Sequence, residues 1–323
     1  MTQFIQTLTD GIAVGSLYAL IALGYTLVYG ILQFINFAHS DVFALGAWAS
    51  LTVAAAFGLA ISAGQQVPPW YVGVGVLAST MAICAIVGFI IERFAYRPLR
   101  NAPRLNVLIT AIGVSLLLEN TGQLSLLHFR TGTAAAFAVP FGPYPKAMPT
   151  LLQDSVLLQF SGVQLRLVDV VVLGTALVLM VAIEWLIFRT KMGLAMRAVA
   201  YNHSTAALMG VNVDRVISGT FVLGSALAAA AGFLYALKYS QLKQTADNVW
   251  VLLGLKAFVA AVVGGIGNVR GAMLGGIAIG LIEFFGVAYL SDRYRDVYVF
   301  SLLILVLLVR PTGILGKSTV EKV

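Results

Sequence analysis

The feature that most constrains this chain is its succession of apolar stretches, several of which approach or exceed the ~20 residues that cross a bilayer as a helix. They fall approximately at 10–30, 41–62, 71–91, 105–127, 167–188, 216–238, 249–264, 271–290 and 295–309. Mean hydropathy is +0.94 and only 10% of residues are charged, against roughly 25% in soluble domains. Most of the stretches therefore lack a charged face to turn toward water. A transmembrane β-barrel would alternate polar and apolar residues over ten-residue segments, a pattern absent here. The expectation is an all-α, polytopic integral membrane protein forming one domain over 1–323. It has nine spans, or eight if the short run 249–264 is broken or re-entrant.

Charge orients this architecture. Arg93, Arg97, Arg100 and Arg104 crowd one short loop, and Arg189, Lys191, Arg197 and Arg215 occupy another. An even number of spans separates the two, so they share a side, which the positive-inside tendency makes cytoplasmic. Alternation places the C-terminal tail with them and, for nine spans, the N-terminus outside. The net charge of +7 is an orientation signal, since no block of basic residues marks a nucleic-acid surface. The first basic residue is Arg93, so the first apolar run lacks the basic start of a signal peptide and is expected to be retained. The lone Cys84 has no disulfide partner within the chain.

Two longer segments lie between spans. The external loop 128–166 carries Pro140, Pro143, Pro145 and Pro149, then a strand-like "VLLQFSGVQL". It reads as a packed external loop or as a docking surface over a translocation path. The cytoplasmic loop 189–215 is richer in signals. In "GLAMRAVAYNHSTAALMGVNVDRV" (193–216), Asn202 and Ser204 are good helix N-caps, "STAALM" is helix-prone, and Gly210 is a natural stop. One or two short helices are expected there. By themselves these residues fit an amphipathic helix on lipid headgroups or a docking helix for a cytoplasmic partner.

That loop resembles the coupling loop of ABC-importer permeases and, more narrowly, of the branched-chain amino-acid permease family. Three further stretches agree in order and separation: "GSLYALIALGYTLVYGILQFINFAHSDVFALGAW", "IERFAYRPLR" and "LKAFVAAVVGGIGNVRGAMLGGIAIGLIE". The resemblance implies a membrane subunit of an ATP-driven importer in a bacterial inner membrane. It would pair with a second, homologous permease, two cytoplasmic ATPase subunits and a periplasmic substrate-binding protein. ATP would be bound by the partners, and no cofactor by this chain. Residues 202–210, including Ala206 and Ala207, would contact the ATPase, with Arg197 and Arg215 flanking them. One departure stands out: the family has Gly after the His of its "NFAHG" stretch, where this chain has Ser40.

Polar groups inside spans are the other candidates, because a charge near the bilayer centre costs at least ~2.5–3.5 kcal/mol on insertion scales. Asn36, His39 and Asp41 cluster between the first two spans with no basic residue nearby. They fit either irregular backbone lining an enclosed cavity or a solvated turn capped by Asp41. Lys256 lies in an otherwise apolar run and calls for a carboxylate partner, Glu119 or Glu283. Glu92 and Glu184 fall near span ends, where they reach the interface. Gly11/Gly15, Gly271/Gly275 and Gly276/Gly280 are spaced for close helix contact. "GGIGNVRG", with Gly264, Gly265, Gly267 and Gly271, fits tight packing or a hinge.

Rival classes carry weaker signals. The tail "PTGILGKST" nearly spells a phosphate-binding loop, but Pro311 replaces its first glycine and no strand–loop–helix context surrounds it. No catalytic motif marks an intramembrane enzyme. A self-sufficient ion-coupled carrier would use Asp41, Glu119 and Lys256 but has no need of a capped docking segment. Sugar and urea or amide permeases share the ABC architecture, so fold alone does not choose the substrate.

Overall fold

The computed structural model describes residues 2–57, 67–100, 102–123, 144–160, 162–243 and 246–316. Among these, nine helices follow the nine apolar runs: α1 (Thr2–Leu32), α2 (His39–Ala56), α3 (Trp70–Ile91), α4 (Arg104–Gln123), α5 (Leu167–Arg189), α8 (Val213–Lys238), α9 (Asn248–Gly264), α10 (Val269–Tyr289) and α11 (Arg295–Val309). Two short helices, α6 (Lys191–Tyr201) and α7 (His203–Leu208), sit between α5 and α8. Six helices, α1, α3, α4, α5, α8 and α10, are long and apolar enough to cross a membrane. α2, α9 and α11 are shorter, at 18, 17 and 15 residues. α9 is continuous, and its ~1.5 Å rise per residue gives a length of about 25 Å. The first helix begins eight residues before its apolar run. The runs 41–62 and 105–127 extend past the described residues at their C-terminal ends, and the external loop is described from 144 onward.

α1 is the hub. Its most apolar stretch is 94% buried, against 17% for α4, so α1 is wrapped by protein while α4 turns its apolar faces outward. α1 packs most extensively on α10, then on α8 and α9. Small residues make the α1–α10 contact possible. A Cβ on Gly280 would lie 2.4 Å from the Gly15 Cα, and one on Gly276 would lie 2.3 Å from the Ala19 backbone nitrogen. The glycine pairs at 11/15 and 276/280 thus face each other across one interface, as their four-residue spacing predicts. Gly271 and Gly275 serve a second contact: their Cβ positions meet the Gly264 and Ala260 carbonyl oxygens of α9.

The bundle has two distinguishable ends. At one, an arginine-rich end, Gly30 of α1 lies close to Gly267 in the α9–α10 turn. Gly265 there has φ +107°, a conformation that excludes side chains. The C-terminal tail closes this turn: the Ile314 and Leu315 N–H groups donate to the Val263 and Gly264 carbonyls at 2.8 and 3.0 Å. The near-match to a phosphate loop is, over its described part, a cap on the end of α9. At the opposite end, the strands Val156–Phe160 and Val163–Arg166 form an antiparallel hairpin, in line with the strand-like reading of 128–166. There Lys146–Ala147 pairs antiparallel with Gln241–Leu242, and Lys238 pairs with Asp169.

Between α1 and α2 the chain does not form a solvated turn. Gln33 takes a left-handed φ of +54° and the strand of backbone re-enters the protein. Gly24, two turns back along α1, lies directly against the His39 ring. Asn36 is buried within the connection, and His39, Ser40 and Asp41, also buried, form the first turn of α2, so these polar groups are enclosed by protein and not solvated, as polar groups at lipid depth require.

Candidate functional site

At the arginine-rich end, α6 and α7 are locally programmed. Thr190 caps α6, its hydroxyl accepting from the Gly193 N–H at 3.1 Å. Asn202 caps α7, its side-chain oxygen accepting from the Thr205 N–H at 2.9 Å. Ser204 lies inside the helix. Gly210, φ +84°, ends α7: its N–H bonds the Ala207 carbonyl and the Val211 N–H bonds that of Ala206, both at 3.0 Å, a Schellman stop. Ala206 is turned into the protein, 4% exposed, whereas Leu208 and Met209 stand out at 87% and 81% exposure. His203 Nε2 lies 2.9 Å from the Ile31 carbonyl, fastening α7 to the end of α1 beside the re-entrant stretch. Arg197 stacks over the Phe188 ring, and Arg215 is exposed.

A charged clamp holds the neighbouring helix ends. The helix α3 continues through a π-helical turn, Glu92–Tyr96, a distortion found often at functional sites. Glu92 is completely buried; it pairs with Arg100 and accepts from the Ser218 hydroxyl of α8 at 2.6 Å. Asp214 at the start of α8 pairs with both Arg97 and Arg100. The π turn also aims Tyr96 inward, where its hydroxyl donates to Asn36 Oδ1 at 2.6 Å. Tyr96→Phe is expected to leave that buried acceptor unsatisfied and to cost about 1–3 kcal/mol, visible as a lower unfolding temperature in detergent. An unchanged unfolding temperature would mean that Asn36 finds another donor.

Deeper in the bundle, Asp41 accepts from the Ser115 hydroxyl of α4, and the Glu119 carboxyl is its other polar neighbour. Asp41 and Glu119 line one small cavity between α2 and α4. Ser40 fits its position: its hydroxyl donates to the Phe37 carbonyl at 2.9 Å, and Gly254 of α9 leaves room for its side chain.

Toward the hairpin end, Lys256 anchors an ion network. Its Nζ lies 2.9 Å from Glu283 of α10 and 2.7 Å from Asp296 of α11. Glu283 also accepts from the Tyr18 hydroxyl of α1 at 2.8 Å and faces Arg295 at 3.2 Å. The network lines a cavity of 410 Å³ walled by α1, α8, α9, α10 and α11. Among the described residues no cluster of three His, Cys, Asp or Glu side chains is arranged to hold a metal ion.

Residues 7–309 match the family model described as branched-chain amino acid transport system / permease component. The chain belongs to this permease family. Relatives cover it almost end to end. The high-affinity branched-chain amino acid transport system permease protein BraD of Pseudomonas aeruginosa is 40% identical, over 99% of this chain and 98% of its own. The corresponding LivH of Escherichia coli K12 is also 40% identical over the same shares. A ribose import permease of Haemophilus influenzae is 28% identical over about a third of each chain.

In this branched-chain-type permease, a multi-pass membrane protein, the residues singled out from sequence separate into three places. Asn202, Ala207, Gly210, Arg197 and Arg215 share the arginine-rich end, with Ala206 there but facing inward. Asn36, His39, Asp41 and Glu119 lie along α2 and its neighbours. Lys256 and Glu283 form a pair, so of the two carboxylates proposed for Lys256 it is Glu283 that meets it. Glu119 instead sits beside Asp41. Glu92 does not reach the interface but is buried in the clamp, whereas Glu184 is partly exposed and pairs with the exposed Arg270 at 2.7 Å. Tyr18, Tyr96, Arg100, Asp214, Arg295 and Asp296 were not legible as site residues, because only the folded bundle brings them to their partners. The π turn in "ERFAY" has no sequence signature of its own.

Proposed function

We propose that this chain is the membrane permease of an ATP-driven importer that moves branched-chain or similarly small amino acids delivered by an external binding protein. The observation that carries the coupling half of this reading is α7: a capped, stopped helix at the arginine-rich end, presenting Leu208 and Met209 and fastened through His203 to α1. Such an exposed apolar tip fits a groove on a cytoplasmic ATPase. The basic residues Arg93, Arg97, Arg100, Arg189, Arg197 and Arg215 favour the cytoplasm for this end, which puts the N-terminus and the hairpin end outside. ATP binding to two partner ATPases would displace α6 and α7, and α5 and α8 with them, alternating the access of a path shared with a second permease. This chain itself would bind no nucleotide. The substrate assignment rests on the similarity to BraD and LivH, branched-chain amino acid transport permeases aligned over nearly the whole chain.

The test is purification of the tagged chain in mild detergent from its native membrane. Recovery of an ATPase and a second permease is the expected result. A chain purified alone that still catalyses ion-driven uptake would overturn the proposal.

A further inference from the structure

We propose that the cavity bounded by Tyr18, Tyr239, Lys256, Glu283, Arg295 and Asp296 is a binding site for a zwitterionic amino acid on the way through the permease. The assignment rests on the permease reading above and adds to it a place and a recognition chemistry within this chain. Three observations carry it.

The first is charge arrangement. Lys256 and Glu283 are deep in the wall, their side chains 5% and 3% exposed, while Arg295 and Asp296 stand nearer the mouth at 44% and 46%. The four ions sum to zero. A ligand bearing a net charge would leave an uncompensated charge in a site of low dielectric. A zwitterion brings one charge of each sign and leaves the sum unchanged. The second is donor supply. A lysine ammonium has three N–H donors; one donates to Glu283 and Asp296 is an ion contact at 2.7 Å, so donor capacity is left for a ligand carboxylate with Arg295 beside it. Asp296, half exposed, is placed to take the ligand ammonium.

The third is shape and lining. The cavity's 410 Å³ is within the range of small-molecule sites, which are apolar with a few placed polar groups. Leu252, Leu253 and Val14 complete its wall and would receive an aliphatic side chain. A second cavity of the same volume, opening among Tyr235, Tyr239 and Val249, shares those three residues with it. The site is therefore approached from the hairpin end, the end assigned to the binding protein. A lysine held so far along a span invites a functional reading, and this geometry supplies one that a purely structural ion pair does not need: a cavity with ions of both signs at its wall.

The experiment measures direct binding to the purified permease–ATPase complex, without the binding protein, of L-leucine, of L-leucinamide, which keeps the ammonium and lacks the carboxylate, and of 4-methylpentanoate, which keeps the carboxylate and lacks the ammonium. L-leucine is expected to bind at least about tenfold more tightly than either, the loss for one charged hydrogen-bonding group. Lys256→Met removes a cation from the buried Glu283, a change that can disrupt the fold itself, so the diagnostic variant is Asp296→Asn at the half-exposed rim. It is expected to weaken L-leucine about tenfold and to strengthen 4-methylpentanoate, whose single negative charge then balances the site, so that the preference between them collapses; Arg295→Gln does the same with leucinamide, whose positive charge balances the site it leaves. A structural role alone would not move these ratios. No binding of L-leucine, or binding that Asp296→Asn leaves untouched, in a complex whose ATPase is still stimulated by the binding protein overturns the site and leaves the permease reading standing. Loss of that stimulation in the wild-type complex as well would sink both.

Discussion

Replacing Leu208 and Met209 together by aspartate is expected to strip the ATPase from the complex and abolish ATP-dependent uptake, while the chain still inserts and folds. Both side chains are more than four-fifths exposed, so the protein itself loses little packing when they change. Truncating a central apolar anchor of an interface commonly costs 2 kcal/mol or more, and burying a carboxylate against an apolar groove adds its desolvation. Two such changes at one tip, about 4 kcal/mol or more together, weaken the contact roughly a thousandfold and take a micromolar contact to millimolar, too weak to survive purification. Ala206 is the less informative position. It is turned inward, and an arginine there would unseat α7 from the bundle, so lost uptake would report damage and not contact. Co-purification of the ATPase with the Leu208→Asp, Met209→Asp chain at wild-type levels would move the docking surface elsewhere.

Gly280→Ala and Gly276→Ala are expected to destabilise the fold by about 1–3 kcal/mol each, the usual range for overpacking, and together to reduce recovered protein severely. Ordinarily alanine stabilises a helix relative to glycine by roughly 0.5–1 kcal/mol. The sign reverses here because the added methyl would meet backbone and not a movable side chain: Gly15 Cα at 2.4 Å in one case and the Ala19 backbone in the other. The two helices would have to separate, and α1 is the element on which α10, α8 and α9 all pack. Gly113→Ala on the outward α4, where a Cβ meets nothing within 4 Å, is the matched control and should be neutral or slightly stabilising. Thermal unfolding in detergent separates the cases; a Gly280→Ala chain as stable as the Gly113→Ala chain would contradict the close α1–α10 contact.

These two predictions mark where the sequence was readable. The spans announce themselves because lipid demands continuous apolar helix, and the small-residue spacing of Gly276 and Gly280 follows from the helical repeat. Asn202 and Gly210 were legible because caps act within a few residues. What lay hidden is tertiary. Nothing local says that Ala206 faces inward and Leu208 outward on so short a helix, that His203 reaches the end of α1, or that Asp296 joins Lys256 and Glu283. Asn36 and Asp41 left two readings open, and the choice between an enclosed stretch and a solvated turn depended on α1 being the core helix. The Glu92–Arg100–Asp214 clamp joins three positions more than 120 residues apart at its extremes, and no single segment carries its signal.

The most direct measurement is uptake of labelled L-leucine into proteoliposomes holding this chain with its second permease and ATPases, with the binding protein added outside. Uptake is expected to require both ATP and the binding protein, to be unaffected by collapsing proton and sodium gradients, and to be absent for ribose. Uptake driven by an ion gradient without ATP, or equal transport of ribose, would contradict the proposed function.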